Sequence, residues 1–218
     1  MKISLIHPSR GRSKKALDTL HFWIENSSKT IEIEHLLSID FSDDEKHNYQ
    51  DLFKLEPANN LIVCADNNSV VQATNYACKF VTGDILIYLS DDFKCPKNWD
   101  LSLVEIFNKT ENPMLLKVDD CLQKFEVAVL TIPIMNSQLF YKLGYFWHPE
   151  YKSMFVDEDL FWTCKNNNWL SNAEHLKFPH EHVCNGLAEN DETYKRSAAN
   201  WDSGKATYLQ RKSLNFPL

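Results

Sequence analysis

A chain of 218 residues of which 44% are hydrophobic can bury a substantial core, and this length favours one sheet-centred domain. The net charge of −7 argues against a protein that coats nucleic acid, because such a protein needs a basic face. The apolar runs are too short to span a membrane, and residues 1–6 lead straight into a strand instead of the hydrophobic segment of a signal peptide.

Segments with the patterns of strands and helices alternate along the first half of the chain. Short apolar or alternating runs indicate strands, and apolar residues spaced three or four apart indicate amphipathic helices. Ser69 precedes one of the helices and suits its N-cap position. The strands predicted here are residues 3–7, 31–39, 61–64 and 85–89, and the helices are residues 14–26, 70–80 and 99–108.

The second half is less regular but contains both kinds of element. Residues 115–118 and 126–132 are predicted strands, and residues 137–143 and 157–167 are predicted helices. The alternation of strands and helices predicts an α/β fold with a mostly parallel, Rossmann-like central sheet flanked by helices. No linker, repeat or low-complexity tract interrupts the sequence, so we expect a single domain over residues 1–218.

The fourth predicted strand ends on two adjacent carboxylates, Asp91 and Asp92. Open α/β sheets bind ligands at the carboxyl ends of their strands. Carboxylates in that position suit Mg²⁺ or Mn²⁺, which take oxygen ligands and bridge phosphate groups. An ordinary turn is the alternative, since Asp and Ser are common turn residues.

Phosphate binding cannot rely on a glycine-rich loop in this chain. Neither Gly-x-Gly-x-x-Gly nor a P-loop motif occurs among its five glycines. Two of the four arginines, Arg10 and Arg12, follow the first strand, and their planar guanidinium groups suit phosphate oxygens. For Arg12, a solvated loop position is an equal alternative.

The six cysteines are widely scattered and include no Cys-x-x-Cys pair. This spacing argues against a zinc site and for reduced, mostly buried thiols. We therefore expect a cytoplasmic protein.

Four motifs in a fixed order resemble the family 2 glycosyltransferases, which have the GT-A fold of nucleotide-diphospho-sugar transferases and move a sugar from a nucleotide donor. The motifs are a strand closing on Pro8-Ser9-Arg10-Gly11-Arg12, a strand ending on Asp40, the block of residues 69–75, 83–86 and Ser90-Asp91-Asp92, and Gly144-Tyr145-Phe146 followed by residues 155–160. Ser90 departs from the first Asp of the usual Asp-x-Asp motif, and Val156 departs from the Glu of the family's Glu-Asp pair.

The resemblance implies roles for individual residues. It assigns donor binding to Pro8, Ser9, Arg10, Arg12, Asp40, Asn75, Ser90 and Asp91, with Arg211 or Lys205 of the tail reaching the diphosphate. Asp92 would be the metal ligand, joined by His182 or His180, with His182 preferred; His-x-His in an extended segment points both rings to one side. Asp157 would be the base, with Glu158 and Asp159 as alternatives. Without the resemblance, these three acids complement a helix dipole.

The resulting expectation is a metal-dependent, inverting glycosyltransferase with a UDP-linked donor and Mn²⁺ or Mg²⁺. Residues 1–95 would form the nucleotide-sugar-binding half, residues 96–185 the acceptor and catalytic half, and residues 186–218 a helical tail. The acceptor stays open among a glycan, a lipid-linked sugar, a protein and modified DNA. The alternatives are a nucleotidyltransferase and a non-catalytic nucleotide- or carbohydrate-binding protein with a degenerate site.

Overall fold

The computed structural model describes residues 1–54 and 60–218, which form a seven-stranded sheet covered by helices on both faces. The strands are β1 (Lys2–Pro8), β2 (Glu32–Asp40), β3 (Asn60–Ala65), β4 (Ile85–Tyr88), β5 (Leu115–Asp119), β6 (Ile134–Asn136) and β7 (Leu170–Lys177). The helices are α1 (Ser13–Glu25), α2 (Lys46–Phe53), α3 (Val70–Ala77), α4 (Trp99–Phe107), α5 (Ser137–Leu143), α6 (Val156–Asn166), α7 (Glu192–Ala198) and α8 (Trp201–Ser213).

The sheet has the order β3-β2-β1-β4-β6-β5-β7 and is mostly parallel, as predicted. Strands β1 to β4 run in one direction, and β6 lies antiparallel to both of its neighbours, β4 and β5. Since parallel strands end at the same edge, the carboxyl ends of β1, β2 and β4 lie side by side. This edge receives the arginines that follow β1 and the acids that follow β4.

Apolar residues of successive strands face opposite sides of the sheet and build two cores. On one side, Leu5 and Ile87 pack with Trp23 of α1 and Trp99 of α4. On the other side, Leu86 packs in a cluster that includes residues of α3, α5, α6 and α8. The central strands β1 and β4 are therefore buried on both faces, which explains their mainly apolar sequences.

Gly83 allows the turn before β4 to lie directly against β1. A Cβ atom at this position would stand 2.4 Å from Ser4 Oγ and 2.8 Å from Ser4 N, a separation too short for any side chain. Glu34 of β2 closes the same corner, because its buried carboxylate accepts hydrogen bonds from Ser4 Oγ and from the backbone and side chain of Thr82.

One predicted strand is wrong, and three elements, α2, β6 and β7, were not predicted. Residues 126–132 form turns and bends, with the Val127 N–H donating to Lys124 O, and the strand that pairs with β4 is β6, just beyond Pro133. Helix α2 and strand β7 were missed. The other predicted helices and strands are present with shifts of one to three residues at their ends. Ser69 caps α3 as predicted, since its side chain accepts from Gln72 N.

All six cysteines are free thiols. Within residues 1–54 and 60–218, none of the helices combines the length and the apolar character needed to cross a membrane.

Candidate active site

A cavity of about 500 Å³ opens at the carboxyl edge of β1, β2 and β4. Loops after these strands, the start of α6, residues 180–182 and helix α7 enclose it. Eleven of the residues predicted from the sequence line this cavity: Pro8, Ser9, Arg10, Arg12, Asp40, Ser90, Asp91, Asp92, Asp157, His180 and His182.

The two adjacent acids lie at the floor of the cavity in different surroundings. Asp91 is buried and accepts hydrogen bonds from His7 Nε2 at 2.9 Å and from Ser9 Oγ at 3.0 Å. Asp92 is also buried, and its Oδ2 accepts a short hydrogen bond of 2.5 Å from Tyr194 Oη. Burial alone would raise the pKa of Asp92, but hydrogen bonds from His180 and Tyr194 lower it well below its usual range. Asp92 is therefore a carboxylate at neutral pH.

Two buried polar atoms beside Asp92 have no hydrogen-bond partner, namely Asp92 Oδ1 and His180 Nδ1. Such atoms are rare in folded proteins, so an unsatisfied carboxylate oxygen fits a cation. Among the described residues no group of three or more His, Cys, Asp and Glu side chains is arranged to hold a metal ion. Mg²⁺ and Mn²⁺ nevertheless bind through one or two carboxylates when substrate phosphates supply the other ligands. The donor set around Asp92 fits that mode.

The two histidines lie on the same side, as their spacing predicts, with ring centroids 4.8 Å apart. His180 forms an antiparallel bridge with Phe93, which brings its Nε2 to 3.5 Å from Asp92 Oδ2. The Nδ1 atom of His182 instead accepts the Cys184 N–H and caps a short 3₁₀ helix. A neutral imidazole with Nδ1 as acceptor carries its proton on Nε2 and has no free lone pair for a metal. Of the two rings, His180 is the one that keeps a nitrogen without a hydrogen-bond partner.

Both predicted arginines are paired with carboxylates at the cavity wall. The guanidinium of Arg12 is buried and donates from Nε and Nη2 to Asp191, each at 2.7 Å. Although burial opposes it, the carboxylates of Asp191 and Asp91 raise the pKa of Arg12. Arg10 donates to Asp40 and to Ser42. The solvated-loop alternative for Arg12 is excluded by its burial.

Asp157 is the one predicted acid of α6 that lines the cavity. It lies in the first turn of the helix, directly after Val156 and after Phe155, which has a left-handed backbone with φ of 69°. A bulky residue adopts that conformation only where the surrounding structure enforces it. Burial raises the pKa of Asp157, and the nearby Asp120 adds to the effect. A carboxylate with a raised pKa is a better proton acceptor than an exposed one.

Four predicted site residues lie outside the cavity lining, and their contacts explain why. The Asn75 side chain holds the backbone of Phe146 and Trp147 by three hydrogen bonds. Asp159 is buried and accepts from Arg211 Nε at 2.6 Å, so these two residues neutralise each other. Glu158 faces Tyr208 of α8. The contacts of Asn75, Glu158, Asp159 and Arg211 are those of residues that connect structural elements.

Helix α7 brings residues to the cavity that the sequence did not single out. Tyr194 donates to Asp92 and stacks on the guanidinium of Arg12, whose Cζ lies 4.9 Å from the ring centroid. Thr193 Oγ1 donates to the backbone carbonyl of Arg10. The tail therefore reaches the cavity through α7, whereas Arg211 and Lys205 lie outside the lining. The N-cap Asp191, followed by Glu192, Thr193 and Tyr194, was the available signal for this helix.

The mostly parallel sheet has the GT-A fold that solved structures of glycosyltransferases share. Residues 4–152 match the sequence profile of glycosyl transferase family 2, which is more than half of the chain. The chain belongs to this family.

Solved structures of glycosyltransferases have the same fold. The mannosyltransferase PcManGT from Pyrobaculum calidifontis, in complex with GDP-Man and Mn²⁺, has a TM-score of 0.71 at 12% identity over 96% of this chain and 64% of its own. Residues 1–349 of S. aureus TarS in complex with UDP-GlcNAc have a TM-score of 0.62 at 16% identity, over 90% of this chain and 64% of that TarS fragment. GalNAc-T7 with UDP, GalNAc and Mn²⁺ has a TM-score of 0.63 at 16% identity, over 82% of this chain and 43% of its own.

The chain thus spans less than two thirds of the length of these neighbours. At 12 to 16% identity the likeness shows the fold alone. No curated protein sequence gives a significant match.

Proposed function

We propose that the chain transfers a sugar from a UDP-linked donor to an acceptor hydroxyl, with inversion and with help from a divalent cation. The observation that carries this proposal is the buried Asp92, which has one unpaired carboxylate oxygen in the same cavity as Asp157. One acid is fully ionised and the other has a raised pKa, so their environments suit two different tasks.

Asp92 and His180 would hold the cation, and Mn²⁺ suits a site with a nitrogen ligand better than Mg²⁺ does. The bound cation would neutralise charge that develops on the leaving diphosphate. Arg12 and Arg10 would contact phosphate oxygens through guanidinium groups that are now held by Asp191 and Asp40. Pro8, Ser9, Asp40, Ser90 and Asp91 would form the remaining donor contacts.

Asp157 would accept the proton of the acceptor hydroxyl as this group attacks the sugar. Its position in the cavity and its raised pKa support this role, whereas Glu158 and Asp159 face α8. A single base of this kind supports direct displacement and hence inversion.

The ligands of the solved neighbours, the aromatic lining of the cavity and the net charge support the choice of donor and acceptor. Two of the neighbours were solved with UDP or UDP-GlcNAc, which supports a UDP-linked donor, and GDP-Man in PcManGT makes GDP-sugars the comparison to test. Trp147 and Phe155 line the cavity near Asp157 and offer aromatic faces to a sugar acceptor. A glycan, a lipid-linked sugar or a protein fits better than modified DNA, because the net charge is −7. The six free thiols suit the cytoplasm.

Turnover of a panel of UDP- and GDP-sugars tests the proposal, with Mn²⁺ present or removed by a chelator. We expect hydrolysis or transfer of at least one UDP-sugar that stops when the cation is removed. Asp157→Asn should lower turnover by about a hundredfold or more while UDP binding persists, as is typical for loss of a general base. The neighbouring Glu158→Gln is the matched control and should retain turnover.

Cation-independent turnover would contradict the role of the metal, and an active Asp157→Asn variant would contradict the base assignment. Cation-dependent binding of UDP with no turnover of any donor would favour the non-catalytic alternative, to which Ser90 and Val156 point as departures from the family motifs.

A further inference from the structure

A row of three buried polar side chains runs from the cavity floor into the sheet. Asp91 follows β4, His7 lies on β1 and His35 lies on β2, so three adjacent parallel strands contribute one residue each. His7 Nε2 lies 2.9 Å from Asp91 Oδ1, and His7 Nδ1 lies 3.0 Å from His35 Nε2. His7 is fully buried and His35 is 2% exposed.

The hydrogen bonds in this row have a defined direction. A carboxylate oxygen only accepts, so Nε2 of His7 donates to Asp91. In the neutral form of His7 the other nitrogen, Nδ1, accepts the hydrogen bond that His35 Nε2 donates at 3.0 Å. Burial lowers the pKa of His35 well below its usual value, so His35 is neutral. His35 therefore fixes the tautomer in which His7 aims its N–H at Asp91.

Packing does not explain this row. The neighbouring positions of β1 and β2 carry Ile6, Leu36 and Leu37, all buried, and apolar residues would fill the same space without buried polar groups. The polar residues are explained by Asp91, which lies at the cavity end of the row. Asp91 lines the cavity and keeps lone pairs free after accepting from His7 and Ser9, because a carboxylate has about four acceptor sites.

We propose that His7, held in one tautomer by His35, is a positioning residue that orients the Asp91 carboxylate toward the nucleotide donor. His7 does not touch the donor itself and acts through Asp91. Ser9 also holds the Asp91 carboxylate in place. Its hydroxyl donates to Asp91 Oδ2 and is hydrogen-bonded to Tyr49 Oη at 2.8 Å. This inference rests on the proposed function, since it presumes a nucleotide donor in the cavity.

Two amide variants of His7 test whether this side chain orients Asp91 or only fills space in the core. In His7→Gln, the amide nitrogen reaches about as far as Nε2 and can still donate to Asp91, whereas in His7→Asn it reaches only as far as Nδ1. The affinity for UDP in the presence of Mn²⁺ is measured by calorimetry, with thermal unfolding recorded in parallel. We expect His7→Asn to weaken UDP binding about tenfold and His7→Gln less than about threefold, as for loss or retention of a hydrogen bond to a charged group. His47→Asn, an exposed histidine of α2, is the control.

A double-mutant cycle tests whether His7 acts through Asp91. In an Asp91→Asn background, His7→Asn should weaken UDP binding by less than about twofold further. A tenfold further loss would overturn the inference, as would equal affinities of His7→Gln and His7→Asn. Binding by the wild type separates failure of the proposed function from failure of this inference alone. If it binds neither UDP nor GDP with Mn²⁺, the proposed function fails and the inference with it. If it binds and the variants do not separate, the inference alone fails.

Discussion

At the scale of single residues, Asp91 and Asp92 show how two adjacent, identical side chains acquire different chemistry. Asp91 points back toward β1, where His7 and Ser9 supply donors to both of its oxygens. Asp92 faces His180 and Tyr194, which meet only Oδ2 and leave Oδ1 without a partner. Because a buried carboxylate oxygen without a donor is costly, Asp92 is the acid that gains most from a cation.

Asp92→Asn is therefore expected to remove cation-dependent donor binding. An amide keeps the size of the side chain but loses the charge, so UDP affinity in Mn²⁺ should fall by about tenfold or more and become insensitive to a chelator. Calorimetric titration with and without Mn²⁺ measures both effects. Asp202→Asn, at an exposed position of α8, is the control. If Asp92→Asn bound UDP with the full Mn²⁺ dependence of the wild type, Asp92 would not be a metal ligand.

At the scale of elements, a buried carboxylate holds together the strands that present the site. Glu34 of β2 accepts from Ser4 Oγ at 2.5 Å, from Thr82 N and Oγ1 at 2.6 Å each, and pairs with Lys2 Nζ at 2.8 Å. Burial alone would raise its pKa, but these four donors lower the pKa of Glu34 below its usual value. The ionised form thus stabilises the corner of β1, β2 and the turn before β4.

Glu34→Gln should lower the free energy of unfolding at pH 7 by about 1–3 kcal/mol, the cost of disturbing a buried, charge-assisted set of hydrogen bonds. Because the folded-state pKa is depressed, this stabilisation is present above the unfolded pKa of about 4.3 and is lost as pH falls through the folded value. The difference from wild type should therefore shrink below about pH 4. Denaturant unfolding at several pH values measures it.

Glu32→Gln is the matched control for Glu34→Gln. Glu32 lies on the same strand and also pairs with Lys2, at 3.1 Å, but its side chain is 60% exposed. We expect a change of less than about 1 kcal/mol, as for other exposed ion pairs. Equal losses in the two variants would show that burial of Glu34 adds nothing to its contribution.

The elements that the sequence predicts are those with a strong pattern of burial. Strand β1 and helix α5 were predicted well because their apolar residues or caps fix them locally. Strand β7 was missed since, of its eight residues, only Ala173 and Leu176 are buried, and five of the other six are polar. Helix α2 likewise buries only Tyr49 and Phe53. The segment 126–132 has the composition of a strand but is held in turns, a tertiary outcome that propensity does not encode.

At the scale of the whole molecule, how well a site residue could be predicted depends on how far along the chain its contact partners lie. Residues that follow strand ends were predicted to meet, because parallel topology alone brings those ends together. The acids of α6 needed more information. Asp157 and Asp159 are two positions apart, which turns them about 200° around a helix, so only one can face the cavity. The resemblance favours Asp157 and leaves Asp159 as an alternative, and the sequence does not reveal that Arg211 of the tail pairs with Asp159.

The ion pair of Asp159 with Arg211 connects α6 to α8, and its loss should affect folding before it affects binding. Arg211 donates to both Asp159 oxygens and to the Pro217 carbonyl, while Tyr151 Oη donates to Asp159 at 2.9 Å. Arg211→Met would leave a buried carboxylate without its cation, which costs about 3–5 kcal/mol. For a domain of this size, we expect the melting temperature to fall by about 10 °C. The double variant Asp159→Leu/Arg211→Met should recover most of that loss, because it removes both charges.

Donor binding distinguishes this structural role from the one that the sequence predicted for Arg211. Lys212→Met changes the next, exposed residue of α8 and should leave both melting temperature and UDP affinity unchanged. Below its lowered melting temperature, Arg211→Met should bind UDP with Mn²⁺ within about threefold of wild type, since the arginine lies outside the cavity lining. A variant that melts like the wild type but binds UDP tenfold more weakly would instead place Arg211 on the diphosphate, and would require the tail to rearrange when the donor binds.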